Sequence, residues 1–107
     1  MNPKHLDAMV LEICDKYNYP LPKSLTLNRR FKTTLGKCTS DGEIELNEWV
    51  VLNNKKEVVV ALIKHEVCHL RHFNHNKEFK QAIKIMGSAM YIENLFPNML
   101  IPRGKNA

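Results

Sequence analysis

The sequence predicts an α+β fold, in which helices flank a small, mainly antiparallel sheet of three strands. Apolar residues recur at helical spacing near the amino terminus and again from position 57 onward, whereas between positions 25 and 47 they alternate with polar residues. An antiparallel sheet with one solvent-facing side produces such alternation. The 107 residues are enough for a single domain around one hydrophobic core, and we expect residues 1–107 to form it.

The first predicted element is a helix over residues 3–17. Asn2 can cap this helix, and Pro3 suits its first turn, where a missing backbone N–H costs nothing. Prolines at positions 20 and 22 end the helix and begin an extended connection. The buried side is predicted from an apolar stripe at helical spacing, which consists of Leu6, Met9, Val10, Ile13, Cys14 and Tyr17.

Short strands are predicted to follow the first helix. Leu25 and Leu27 alternate with polar neighbours, and residues 31–35 show the same alternation. Residues 40–43 have the composition of a turn, so residues 33–47 are predicted to form a hairpin. The sheet is therefore expected to consist of a first strand and this hairpin.

The central feature of the sequence is the motif His65-Glu66-Val67-Cys68-His69, in a predicted helix that starts with a capping box between Asn54 and Glu57. Residues four apart lie on one face of a helix, so the two imidazoles can bind the same cation. Glu66 lies about 100° further round the helix, where it can act as a base toward a water molecule. The spacing therefore predicts a zinc site with Glu66 as its catalytic residue.

A zinc site of this kind needs a third protein ligand, and His72, His75 and Glu78 are the candidates. On a straight helix His72 would lie about 10 Å along the axis from the first histidine, which is too far for tetrahedral zinc. His75 fits only if the helix ends and the chain turns back, for which Asn74 and Asn76 supply the turn and capping chemistry. Glu78 would lie in the first turn of a further helix. The residues alone favour His75, then Glu78, then His72.

Residues 77–86 are predicted to form the carboxyl-terminal helix, with Gly87 as its stop. Phe79 is expected to be buried and to anchor the loop that carries His75. Residues 88–107 contain Pro97 and Pro102, which favour an irregular tail.

The three cysteines, Cys14, Cys38 and Cys68, lack the spacing of a metal site and are odd in number. This favours reduced, mostly buried thiols and a cytoplasmic protein. No stretch is apolar for long enough to span a membrane, and the start lacks the apolar core of a signal peptide. We expect a cytoplasmic monomer without a membrane partner.

The net charge of +5 is unevenly distributed along the chain. One basic cluster falls in a span without any Asp or Glu and consists of Lys23, Arg29, Arg30, Lys32 and Lys37. Such a cluster is typical of a nucleic-acid-binding surface and also of a plain solvated surface. Aromatic residues are few in this span, so sequence-specific readout of a single strand is not indicated. The charge alone leaves non-specific DNA binding through this cluster and a plain solvated surface as equal alternatives.

Four stretches of the sequence, taken in order, resemble the SprT-like family of zinc metallopeptidases and its YgjP and WLM relatives. They are Thr34-Leu35-Gly36-Lys37-Cys38, Asp41-Gly42-Glu43-Ile44-Glu45-Leu46-Asn47, the His65–His69 motif and Asn74-His75-Asn76-Lys77-Glu78-Phe79. The resemblance covers roughly residues 25–86.

This resemblance implies a zincin-like fold and the hydrolysis of peptide bonds in protein or peptide substrates. It implies zinc held by His65, His69 and His75, with Glu66 as the general base. SprT-like proteins are associated with the cleavage of DNA-bound proteins, which adds to the charge argument. No cysteine follows Phe79, so we expect a minimal or degenerate catalytic core without the zinc ribbon that SprT proteins often carry.

Two other functions fit the same residues. One is a zinc-stabilised DNA- or protein-binding module without useful catalysis, and the other is a regulatory protease that cuts a repressor. The presence of Glu66 argues against the first, because a structural zinc site needs no base. Arg71, His72 and Tyr91 are candidates for a second donor to the oxyanion. An HExxH zinc endopeptidase is the function that we expect.

Overall fold

The computed structural model describes residues 3–87 and confirms the α+β class. The predicted cap at Asn2 and the predicted tail over residues 88–107, with Tyr91, lie outside the described residues. The extent of the domain over residues 1–107 and the monomeric state stay predictions. The elements are a 3-10 turn at Pro3–His5, α1 (Leu6–Tyr17), β1 (Ser24–Asn28), β2 (Gly36–Cys38), β3 (Glu43–Asn47), α2 (Glu48–Asn53), α3 (Lys56–Cys68) and α4 (Lys77–Ile85).

Helix α1 buries the apolar stripe that the sequence predicted. It ends at Asn18, which has left-handed backbone angles (φ 58°), and the N–H of Tyr19 donates to the carbonyl of Cys14 at 2.8 Å. This closure is a common way to satisfy the last carbonyls of a helix. The buried residues of the stripe are Leu6, Met9, Val10, Ile13 and Cys14.

The sheet is mixed, and this corrects the expectation of a mainly antiparallel sheet. Its strand order is β1-β3-β2, where β1 runs parallel to β3 and β2 runs antiparallel to β3. The parallel pairing is the longer one, since five residue pairs join β1 to β3 and three join β2 to β3. The chain therefore crosses from one side of β3 to the other between β1 and β2.

The buried side chain of Asn47 explains why residues 31–35 form a loop instead of a strand. Its Nδ2 donates to the carbonyls of Thr34 at 2.9 Å and of Phe31 at 3.5 Å, and its backbone N–H donates to the carbonyl of Leu35 at 2.9 Å. These bonds hold the connection across the end of β3. The predicted hairpin is confirmed only for its β2–β3 part, which begins at Gly36.

Helix α2 was not predicted, because its six residues are too few to show a helical period. The Oδ1 of Asn47 caps it by accepting from the N–H of Val50 at 3.2 Å. The predicted capping box at the start of α3 is wrong: Lys55 is the capping residue and makes no side-chain cap, while the Nδ2 of Asn54 donates back to the carbonyl of Val50 at 2.9 Å.

Helix α3 lies at the centre of the molecule and packs against α1, α4 and β2. Val59, Leu62 and Val67 on this helix are almost fully buried. Helix α4 begins where the Oδ1 of Asn76 accepts from the N–H of Phe79 at 3.0 Å, and Gly87 follows its end with φ 72°. The prediction for this helix and its stop is confirmed.

Across residues 3–87, the helices are all too short or too polar to span a membrane. The three cysteines are free thiols, of which Cys14 and Cys68 are buried and Cys38 is half-buried.

Candidate metal centre

Three histidines converge at the carboxyl end of α3. His65 lies in the last turn of this helix, His69 follows it, and His75 belongs to the loop that leads to α4. The ring centroids are 5.1 Å apart for His65 and His69, 5.3 Å for His65 and His75, and 4.8 Å for His69 and His75. One ligand atom from each residue lies within 4.8 Å of the others. Within the described part of the chain, this is the one such group of three or more potential metal-binding side chains.

The chain reverses between α3 and α4. This reversal was the condition for His75 to be the third metal ligand. The helix ends at Cys68, whose carbonyl accepts from the N–H groups of Arg71 at 3.2 Å and of His72 at 2.9 Å. These bonds curl the chain into a turn, so the next residues leave the axis of α3. The other two candidate ligands, His72 and Glu78, are outside the cluster, and Glu78 is exposed on the first turn of α4.

His69 is held with one ring nitrogen available. Its Nδ1 donates to the backbone carbonyl of His72 at 3.0 Å, which leaves Nε2 without the proton in the neutral ring. Burial is the first cause that lowers the pKa of His69, so the ring is neutral near neutral pH. The Nε2 atoms of His69 and His75 lie 3.0 Å apart. Two ligands on tetrahedral zinc lie about 3.4 Å apart, so the separation of this pair is close to the value that the metal requires.

Phe79 supports the three rings from below. It is fully buried, and its ring centroid lies 4.6 Å from that of His69, 4.8 Å from that of His75 and 5.1 Å from that of His65. The predicted burial of Phe79 is confirmed. Because α4 begins two residues after His75, its Phe79 ring lies in contact with this loop residue and with the two histidines at the end of α3.

Glu66 lies beside the histidines with only 5% of its surface exposed. Burial raises the pKa of its carboxyl group to about 7. Glu66 lines a cleft of about 280 Å³ together with β2, Phe73 and the three histidines. A buried carboxyl with a pKa near neutrality can both take up and release a proton, which is the requirement for a general base that later acts as an acid.

The other wall of the cleft is formed by β2, and sequence reasoning did not assign it a role. Cys38 was predicted to be a packing residue and is half-buried on this wall. Burial, and then the charge of Glu66, raise the pKa of its thiol to about 11, so Cys38 is a protonated thiol at neutral pH and no nucleophile. In the sequence this wall corresponds to the stretch Leu35-Gly36-Lys37-Cys38. That stretch was noted only as part of the family resemblance.

Arg71 is bound at the far side of the loop. Its Nη2 donates to the carbonyl of Asn18 at 2.9 Å, and its guanidinium lies 4.5 Å from the ring centroid of Tyr19. It does not line the cleft that contains Glu66. Two of the candidate oxyanion donors therefore make other hydrogen bonds. Arg71 is hydrogen-bonded at the end of α1, and the backbone carbonyl of His72 accepts a hydrogen bond from His69.

The basic cluster lies at the solvent-exposed surface. All five of its residues are exposed, and Arg29, Arg30 and Lys32 lie in the loop between β1 and β2. Lys37 lies on β2 and lines the cleft of Glu66. The cluster therefore extends to the edge of the candidate metal centre.

Comparison with known proteins places the chain in a family. The family model described as YgjP-like, metallopeptidase domain, matches residues 4–89. A Protein SprT-like from Oceanobacillus iheyensis is 31% identical over 102 residues, which cover 83% of this chain and 68% of the relative. The chain belongs to the SprT-like, YgjP-related metallopeptidase family. A Protein SprT-like from Geobacillus kaustophilus is 28% identical over 112 residues, which cover 96% of this chain and 75% of that relative.

The fold of this SprT-like domain also has a solved counterpart. The crystal structure of the metallopeptidase zymogen of Pyrococcus abyssi abylysin matches with a TM-score of 0.70 and 18% sequence identity, and the match covers 84% of this chain and 87% of that chain. At this identity the likeness shows the fold. The resemblance to the SprT-like family, read from four sequence stretches, is confirmed by these comparisons.

Proposed function

We propose that this SprT-like domain is a zinc-dependent endopeptidase, in which His65, His69 and His75 hold the metal and Glu66 is the catalytic base. The observation that carries the proposal is the buried carboxyl of Glu66 in the same cleft as the three-histidine cluster. Structural zinc sites use four protein ligands, whereas catalytic sites use three and keep one position open. Three histidines with an adjoining carboxyl therefore fit catalysis better than a zinc-stabilised binding module.

The proton transfers are assigned to Glu66. The three histidines would hold a zinc ion, which would supply Lewis-acid chemistry by stabilising negative charge on the carbonyl oxygen and acidifying a water molecule. Glu66 takes the proton as this water attacks the peptide carbon and then gives it to the leaving amine. Burial raises the pKa of this carboxyl in the metal-free protein, which favours its uptake of a proton.

The edge strand β2 is the surface that we propose for the substrate backbone. It is one of the two outer strands in the β1-β3-β2 order, and it lines the cleft along Gly36, Lys37 and Cys38. An outer strand has backbone groups on one side that can pair with an extended peptide. A peptide bound in this way passes the histidines in mid-chain, which is the mode of an endopeptidase.

We also propose non-specific DNA contact through Lys23, Arg29, Arg30, Lys32 and Lys37. Their exposure and the position of Lys37 at the cleft support this partner, because DNA bound there brings proteins on it close to Glu66. The free thiols of the three cysteines suit a reducing compartment, and we propose the cytoplasm as the site of action.

The test of the proposed function is hydrolysis of an unstructured protein by the full chain after zinc loading. We expect cleavage at internal peptide bonds, which mass spectrometry of the products identifies, and loss of cleavage on chelation with recovery on zinc addition. Zinc binding at one ion per chain without any cleavage would instead support the binding module.

A further inference from the structure

Glu66 is in close contact with one particular glycine of the edge strand. A Cβ atom built on Gly36 would lie 2.8 Å from the Oε2 of Glu66, and 3.1 Å from both its Cδ and its Cγ. Ordinary van der Waals contacts of a Cβ lie at 3.4–4 Å. Any other residue at position 36 therefore requires either the strand or the carboxyl of Glu66 to move.

The backbone does not explain the glycine at this position. Among the described residues, Gly42 (φ 89°) and Gly87 (φ 72°) have positive φ angles, which favour glycine for conformational reasons, and Gly36 is not in that group. Gly36 is a regular strand residue that pairs with Leu46 of β3. The space taken by the Glu66 side chain is thus the feature that excludes a larger residue.

Both sides of the contact are rigidly held. Glu66 lies on the central helix α3, which packs directly on β2. On the other side, β2 is paired with β3, whose residues Ile44 and Leu46 are at most 1% exposed. The clash of a methyl group at position 36 with Glu66 cannot be relieved by a shift of α3 or of β2, because both are fixed in the core. The Glu66 side chain is the part that would move.

We propose that Gly36 is a positioning residue that holds the carboxyl of Glu66 in its productive orientation. Because position 36 has no side chain, the backbone of β2 lies directly against the carboxyl of Glu66. This contact prevents the carboxyl from moving toward β2 and keeps it directed at the cleft of the three histidines. This inference rests on the proposed role of Glu66 as the base. A displacement of about 1 Å at a reacting group can lower a rate about 10²-fold.

The kinetic test compares the full-length zinc-loaded parent, Gly36→Ala, Glu66→Gln and the double variant. We expect Gly36→Ala to lower kcat about 10²-fold with little change in KM, and to retain one zinc per chain. In the Glu66→Gln background the same change is expected to produce no further loss, because no base remains to be misplaced. A kcat of Gly36→Ala within about threefold of the parent would overturn the proposal, as would loss of zinc from this variant.

A second measurement does not depend on catalysis. We expect Gly36→Ala to lower the melting temperature of the metal-free protein by at least about 4 °C in the parent and to leave it unchanged in Glu66→Ala, where the clashing side chain is gone. Equal shifts in both backgrounds would overturn the contact and with it the proposal. A parent that binds zinc but cleaves nothing would refute the proposed function itself, and the melting cycle would then show separately whether the contact exists.

Discussion

The ring of His69 is fixed by the backbone of His72, whose carbonyl accepts a hydrogen bond from Nδ1 at 3.0 Å. His72 thus contributes to the candidate metal centre through its main chain, although the sequence suggested its imidazole as a possible ligand. The bond orients Nε2 of His69 toward Nε2 of His75, 3.0 Å away. The two histidines of the loop therefore have different proposed roles. His75 is a proposed metal ligand, and His72 orients the ring of His69 through its carbonyl.

His75→Ala and His72→Ala form a matched pair that tests this separation. We expect His75→Ala to remove most zinc affinity, because one of three proposed ligands is lost. His72→Ala keeps its carbonyl and is expected to bind zinc nearly as the parent does. Competition titration against a chelator measures both affinities. The reverse order of effects would assign the metal to His72 and contradict the proposed ligand set.

Phe79→Ala is expected to weaken zinc binding although the side chain bears no ligand atom. Its ring contacts all three histidines, and loss of a residue that orients metal ligands typically costs about 10–100-fold in affinity. The truncation should also lower the free energy of unfolding by about 3–5 kcal/mol.

Ile83→Ala is the control for Phe79→Ala, because it truncates another buried residue of α4. We expect it to lower the free energy of unfolding while leaving zinc affinity close to that of the parent at temperatures where the fold persists. Equal losses of zinc affinity in the two variants would mean that general stability, and not contact with the histidines, determines the effect.

The buried carboxyl of Glu66 should make the metal-free protein less stable as pH rises. Its pKa is raised from 4.5 to about 7 by burial, so the folded state binds more protons than the unfolded state between these values. The linkage lowers the free energy of unfolding by roughly 3 kcal/mol between pH 4.5 and pH 7.

Glu66→Gln removes this contribution, and the comparison of the two proteins isolates it. The lowered pKa of His69 acts in the opposite direction, with stability lost as pH falls, but it is present in both proteins. Denaturant unfolding in the presence of a chelator should therefore show a parent whose stability declines relative to the variant between pH 4.5 and pH 7. Parallel pH curves would show that the carboxyl is not desolvated in the fold.

Reversal of Arg29, Arg30 and Lys32 to Glu should weaken DNA binding without changing zinc content. The loop carries these charges at the surface, and phosphate contacts that release counterions are strongly salt-dependent. Fluorescence anisotropy with short duplexes of unrelated sequence at low salt measures the affinity. Reversal of Lys16, Lys55 and Lys56, three exposed lysines outside the basic cluster, is the control for net charge. Equal effects of the two reversals on DNA affinity would show that the cluster is an ordinary solvated surface and not a specific DNA contact.

The sequence was most informative where the structure is local. The four-residue spacing of His65 and His69 follows from the period of a helix, and the loop before α4 was marked by Asn76, which caps that helix. Phe79 was predicted from its position one turn after His75. In each case the relevant residues lie within a few positions of one another, so periodicity and capping chemistry determine the outcome.

Relationships between distant segments could not be read in the same way. The alternation at Leu25 and Leu27 indicates a strand but gives neither its partner nor its direction, and the parallel pairing with β3 was missed. The loop held by the Asn47 amide and the contact of Gly36 with Glu66 depend on segments that meet only in the folded chain. Their signals in the sequence are single residues without a period.

The most direct test of the account is the Glu66→Gln variant, in which zinc content and peptide hydrolysis are measured on the same preparation. The amide has nearly the shape of the carboxyl but cannot act as a base, and general-base catalysis contributes about 10²–10⁴-fold. We expect one zinc per chain in both proteins and a loss of turnover of that size in the variant. Turnover equal to that of the parent, with the same zinc content, would contradict the assignment of Glu66 as the catalytic base.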